Sequence, residues 1–94
     1  MSAPRSGQEV DVPVQLTVRF FAGAAAAAGH ESEQVLVAPA STLGELVDEL
    51  GARDPALARV LTACSFLVDG VAARREDRLA DGTTLDVLPP FAGG

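Results

Sequence analysis

The segment STLGELVDELGAR, residues 41 to 53, is the one clear amphipathic helix in this chain. Leu43, Leu46, Val47 and Leu50 recur at helical spacing and form a single apolar stripe. Ser41 or Thr42 can cap its start, and Glu45 follows Thr42 at the interval a capping box requires. Glu45, Asp48 and Glu49 then make a solvated acidic face. One stripe can cover only one side of one sheet, so it limits how the strands around it can be arranged.

Those strands are legible. VQLTVRFF puts Val14, Leu16, Val18 and Phe20 on one face and Gln15, Thr17, Arg19 and Phe21 on the other, as in a half-buried strand. AGAAAAAG follows, a short alanine-rich helix that Gly29 closes, and SEQVLVA reads as a second strand. A link this short allows the two strands to run parallel or antiparallel. Pro55 permits a second short helix through Leu57, Val60 and Leu61. SFLVDGVAA runs into an Asp69-Gly70 turn, the best short hairpin signal present, and a second Asp-Gly pair at 81–82 precedes a last strand through Leu85 and Val87. The order predicts an α+β fold, a mixed sheet of four to five strands packed on one main helix. Residues 1–12 read as a loose arm, 13–88 as the domain and 89–94 as an extended tail.

Composition narrows the function. The chain has 94 residues, enough for one domain, and 48% hydrophobic residues, ample for a core. A net charge of -6 argues against nucleic acid and suits a protein partner with a basic face. No apolar stretch approaches the ~20 residues of a membrane span. The single Cys64 allows no internal disulfide and fits a reducing cytoplasm. Carboxylates are plentiful, yet no acid/base pair or metal-ligand spacing emerges. His30 reads as a solvent-facing loop residue, Cys64 as a half-buried thiol, and ARREDR at 73–78 as a solvated hairpin flank. Every basic residue is arginine.

The tail reads PPFAGG. Pro89 and Pro90 donate no hydrogen bond, so the sheet ladder must end there and the chain beyond is held extended. Gly93 and Gly94 lack Cβ atoms, so another protein's backbone can approach closely in a narrow channel. A terminal carboxylate is a poor electrophile. Activated as an acyl-adenylate it becomes a good one, and sulfide could then attack to leave a thiocarboxylate. The sequence supplies this handle, not the machinery that activates it.

Taken together, TLGELVDEL on the central helix and LADGTTLDVLPPFAGG at the end resemble the MoaD/ThiS family of ubiquitin-like sulfur carriers over residues 14–94. The resemblance implies a β-grasp fold and no catalytic residues of the chain's own. It makes Gly94 the adenylated, sulfur-bearing residue, with Pro89, Pro90, Phe91, Ala92 and Gly93 threading into a channel. No bound cofactor is implied, only a C-terminal adenylate and thiocarboxylate as covalent intermediates. The implied partners are a ubiquitin-activating-type adenylating enzyme, a sulfur donor of desulfurase or rhodanese type, and a sulfur-accepting enzyme.

Within the family the Pro-Pro pair looks most like small subunits of molybdopterin synthase, whose partner is the synthase large subunit. Carriers for thiamine thiazole, cysteine or thiosugar synthesis share this appearance, as do protein modifiers conjugated through their C-terminus. With no lysine, lysine-linked polymers of this chain are excluded, but single conjugation is not. In a β-grasp sheet the first and last strands lie side by side, so Phe21, Leu67 and Leu88 would form an outward apolar patch at the base of the tail. Phe21 could instead tuck under the alanine-rich helix.

Overall fold

The computed structural model describes residues 12–90. Strand β1 (Val14–Phe20) carries the expected alternation: Leu16, Val18 and Phe20 are buried, while Gln15 and Arg19 are exposed. Helix α1 (Ala22–Ala28) ends where Gly29, at φ 87°, turns its N–H back to Ala25 O. Strand β2 (Ser32–Val37) returns antiparallel to β1. Helix α2 (Leu43–Arg53) is followed directly by α3 (Pro55–Leu61). Strands β3 (Ser65–Val68), β4 (Val71–Ala72) and β5 (Thr84–Leu88) complete a five-stranded sheet ordered β2-β1-β5-β3-β4. The first and last long strands are parallel neighbours at its centre, and β3 pairs antiparallel with β5.

Leu43, Leu46, Val47 and Leu50 of α2 join Leu57 and Leu61 of α3, Ala24 of α1 and the inward residues of β1 and β5 in one buried cluster. The alanine run is a spacer. Ala24 is fully buried and Ala25, Ala27 and Ala28 pack on the cluster, side chains small enough to let α1 approach the core closely.

The start of α2 is capped twice over. Thr42 Oγ1 accepts from Glu45 N–H at 3.2 Å, and Glu45 Oε1 accepts from Thr42 N–H at 2.9 Å, the reciprocal bonds of a capping box. The next orphan donors find partners outside the helix: Leu43 N–H donates to Asp77 O and Gly44 N–H to Arg75 O. ARREDR is therefore more than the solvated flank its mixed charges suggest. Its backbone closes the helix end, and the Arg75 guanidinium reaches Asp48 at 3.0 Å. Gly44 fits this close approach, since a Cβ there would stand 3.1 Å from Arg75.

The two Asp-Gly pairs do different work. Asp69 and Gly70 both take positive φ, 51° and 84°, as a two-residue hairpin demands. Asp69 also binds Thr84 through both its N–H and its carboxylate, each at 2.9 Å. Asp81 and Gly82 instead grip the start of β1: Gln15 N–H donates to Asp81 Oδ1 and Gly82 N–H to Gln15 O, both at 2.8 Å.

Candidate functional site

The tail leaves from the middle of the sheet. β5 is hydrogen-bonded on both sides, to β1 and β3, and its ladder stops at Leu88, beyond which Pro89 and Pro90 have no strand structure. Phe91, Ala92, Gly93 and Gly94 lie outside the described residues.

Around that exit the face not covered by helices carries the three residues expected to dock a partner. Phe20 pairs with Val87 in the parallel register, and Phe21 N–H donates to Val87 O at 3.2 Å. Phe21 therefore stands beside Leu88. It does not tuck into the core under α1, being 37% exposed. Leu67 opposes Asp86 on the other side of β5 and lies diagonally from Leu88 on the same face. Both leucines are half-buried. The structure thus gathers Phe21, just past the end of β1, with Leu67 of β3 and Leu88 of β5 at the base of the tail.

An ion pair lies among them that the sequence reading missed. Arg19 and Asp86 face each other in the β1–β5 register. Arg19 Nε donates to Asp86 Oδ1 at 2.7 Å and Nη2 to Oδ2 at 3.0 Å, a two-pronged contact. The hydrogen bond to Asp86 and its charge raise the Arg19 pKa above its ordinary value. The guanidinium carbon also sits 5.5 Å from the Phe21 ring centre, within cation–π reach. The signal lay only in the pair: Arg19 and Asp86 each take an outward position of their strand, and parallel pairing of those strands brings them together.

The other singled-out groups lie elsewhere. Cys64 is half-buried, its thiol donating to Val60 O at 3.3 Å, and burial pushes its pKa up, which disfavours the thiolate a nucleophile needs. His30 is more engaged than a free loop residue. Its ring meets Phe20 edge-on at 5.6 Å, and Nε2 pairs with Glu33. Glu33 in turn binds Arg53 at 2.8 and 3.0 Å. The Arg53 hydrogen bond, more than its charge or His30, holds the Glu33 carboxyl below its ordinary value despite some burial. These contacts link β2 to α2 on the helix side, apart from the tail.

Comparison with known proteins follows this geometry closely. The ThiS family model matches residues 18–94, from within β1 to the last residue. A molybdopterin synthase sulfur carrier subunit of Chlamydomonas reinhardtii is 28% identical over 83 residues, covering 86% of this chain and 100% of that one. The crystal structure of SAMP1 from Haloferax volcanii, 31% identical, superposes with a TM-score of 0.75 over 85% of this chain and 99% of that one. Subunits 1 and 2 of the molybdopterin-converting factor of Helicobacter pylori, seen as a complex, include a chain of the same fold at 24% identity, with a TM-score of 0.63 over 86% of this chain and 100% of that one. With the sheet order, the parallel central pair and a family match over most of its length, the chain belongs to the ThiS family of ubiquitin-like sulfur carriers.

Proposed function

We propose that this carrier bears sulfur as a thiocarboxylate on Gly94 and serves as the small subunit of a molybdopterin synthase. The observation that carries this is the end-to-end cover of the Chlamydomonas reinhardtii sulfur carrier subunit, together with a family match that runs through Gly94. In the proposed cycle an adenylating enzyme of the ubiquitin-activating type lets the Gly94 carboxylate attack the α-phosphorus of ATP, releasing pyrophosphate. Hydrosulfide, released when a thiol reductant gives two electrons to the persulfide of a desulfurase or rhodanese-type donor and is itself oxidised to a disulfide, then attacks the acyl carbon. AMP leaves with the bonding electron pair, a proton is released, and the thiocarboxylate remains. The chain supplies the acyl group and its presentation. The activating and accepting enzymes supply the catalysis, in a reducing cytoplasm that keeps the sulfur nucleophilic.

The chain's own residues act by placement. Pro89 and Pro90 end the ladder and aim the tail away from the sheet. Gly93 and Gly94 then let it pass through a narrow channel, while Phe21, Leu67 and Leu88 hold the partner at its base. Incubation of the mature protein with the adenylating enzyme, ATP and sulfide is expected to exchange one oxygen for sulfur, read by intact mass and a terminal-peptide spectrum. Deleting Gly94 is expected to abolish the exchange and leave the melt unchanged, and Gly93→Val to fold normally but lose adenylation or delivery. Sulfur accepted by the Gly94-deleted chain would refute the assignment.

The likeness to SAMP1 supports a second reading, a modifier conjugated through the same terminus. An isopeptide-linked product in place of a thiocarboxylate would select it.

A further inference from the structure

The two margins of the sheet are finished differently. β4 is two residues long, too short to template a partner strand. β2 is six residues long, its register with β1 runs without a bulge, and among the described residues no strand pairs with its outer side. The free hydrogen-bonding groups can be located. Phe20 N–H donates to Glu31 O at 2.8 Å, so the ladder's alternation turns Glu33, Val35 and Val37 towards β1. The N–H and C=O groups of Ser32, Gln34 and Leu36 then point away from the sheet. No proline or lysine guards this margin, and Leu36 is 66% exposed on it.

On the helix side the same strand borders a groove against α2. Two adjoining hollows share Leu36, Leu46 and Glu49, and Glu45 extends the rim. Arg53 matches the charge of Glu33, but Glu45 and Glu49 take part in no ion pair among the described residues. A strand laid on this margin would place alternate side chains over those two carboxylates and the others beside Leu36.

We propose that the outer margin of β2 accepts an extended, basic segment of a partner protein as an added strand. Its backbone bonds Ser32, Gln34 and Leu36, its cations meet Glu45 and Glu49, and an apolar residue covers Leu36. A second copy of this chain fits poorly, because it would bring the same carboxylates and another net charge of -6 to the seam. This margin meets the patch around Phe21 only at Ser32, which lines one hollow with Arg19 and Phe21, and it does not depend on sulfur transfer.

The test uses the full chain and a short peptide alternating lysine and valine, followed by amide NMR and hydrogen exchange. The amides of Ser32, Gln34 and Leu36 are expected to shift and to exchange roughly tenfold more slowly. A glutamate–valine peptide should not bind. Leu36→Pro removes one outward N–H while leaving the β1 ladder intact, and should weaken binding roughly five- to tenfold. Glu49→Lys lies on the exposed face of α2 and tests the charge without touching the strand. It should weaken binding comparably and flatten its salt dependence. Shifts confined to Phe21 and Leu88, equal binding of the acidic peptide, or affinity unchanged in both variants would overturn the proposal. So would a concentration-dependent dimer protected at β2, which makes a second copy the occupant. Changes at Ser32, Gln34 and Leu36 on deleting residues 1–11 would overturn it too, by making the chain's own N-terminal segment the occupant.

Discussion

The sheet has a covered face and an open one, and the same strands use different chemistry on each. Towards the helices β1 presents Leu16, Val18 and Phe20, and β5 presents Leu85 and Val87, all buried in one apolar cluster. Outward, the same strands carry Gln15, Thr17 and Arg19, Thr84 and Asp86. There the contacts are polar and paired: Gln15 with Gln34, Gln34 with Thr17, Arg19 with Asp86. Apolar residues return to the open face beside the tail, as Phe21, Leu67 and Leu88. The apolar core is therefore concentrated on one side of a single layer, and the other side, outside the core, is the one on which partner docking is proposed.

The sharpest way to break that division is to cut into the covered face. Leu85 is 0% exposed, so Leu85→Ala should cost ~2–5 kcal/mol of stability. Partner affinity per folded molecule, by calorimetry beside a denaturant melt, should stay the same. A loss of affinity without a loss of stability would show that the two faces are not separable. On the open face the effects reverse. Phe21→Ala should weaken binding of the adenylating enzyme or synthase large subunit by ~1–2 kcal/mol, with only a small shift of the melt. Unchanged affinity with a collapsed midpoint would return Phe21 to the core.

The Arg19–Asp86 pair sharpens the comparison further. Asp86 is only 8% exposed, so Arg19→Leu strands a covered carboxylate and should lower the melting midpoint more than Asp86→Leu does. The double variant Arg19→Leu/Asp86→Leu should recover to wild type or above, because two apolar residues leave no unpaired charge. Additive losses in a double-mutant cycle would mean the pair is uncoupled.

The smallest effect lies on the helix side. The Glu33 carboxyl titrates lower folded than its ordinary value of 4.5, chiefly through Arg53. A depressed folded pKa adds stability above the unfolded value, and that stability is lost as pH falls through the folded one. Wild type should therefore lose midpoint below about pH 4.5 more steeply than Glu33→Gln. Parallel acid melts would remove Glu33 from the account.

Much of the fold was legible because it is written in local chemistry. The alternation of β1, the Thr42–Glu45 box, Gly29 and Asp69-Gly70 each specify a neighbour's geometry within a few residues. The direction of β2 was not legible, since a seven-residue helix can return a strand either way. The closure of α2 by residues 75 and 77 was hidden for another reason. It uses backbone carbonyls, which every residue has, so no side-chain pattern marks it. For the site, outward positions followed from alternation once β1 and β5 were set side by side. The coupling of Arg19 to Asp86 went unseen because 67 positions separate them, and each alone reads as an ordinary surface charge.

The central place of β5 has a mechanical consequence. A partner that grips the tail pulls along the strand axis, and β5 is bonded to β1 on one side and β3 on the other. The load therefore falls on both ladders in shear, many bonds resisting together, rather than peeling an edge open one bond at a time. On the proposed function, a pull on the last residues would leave the body behind them folded.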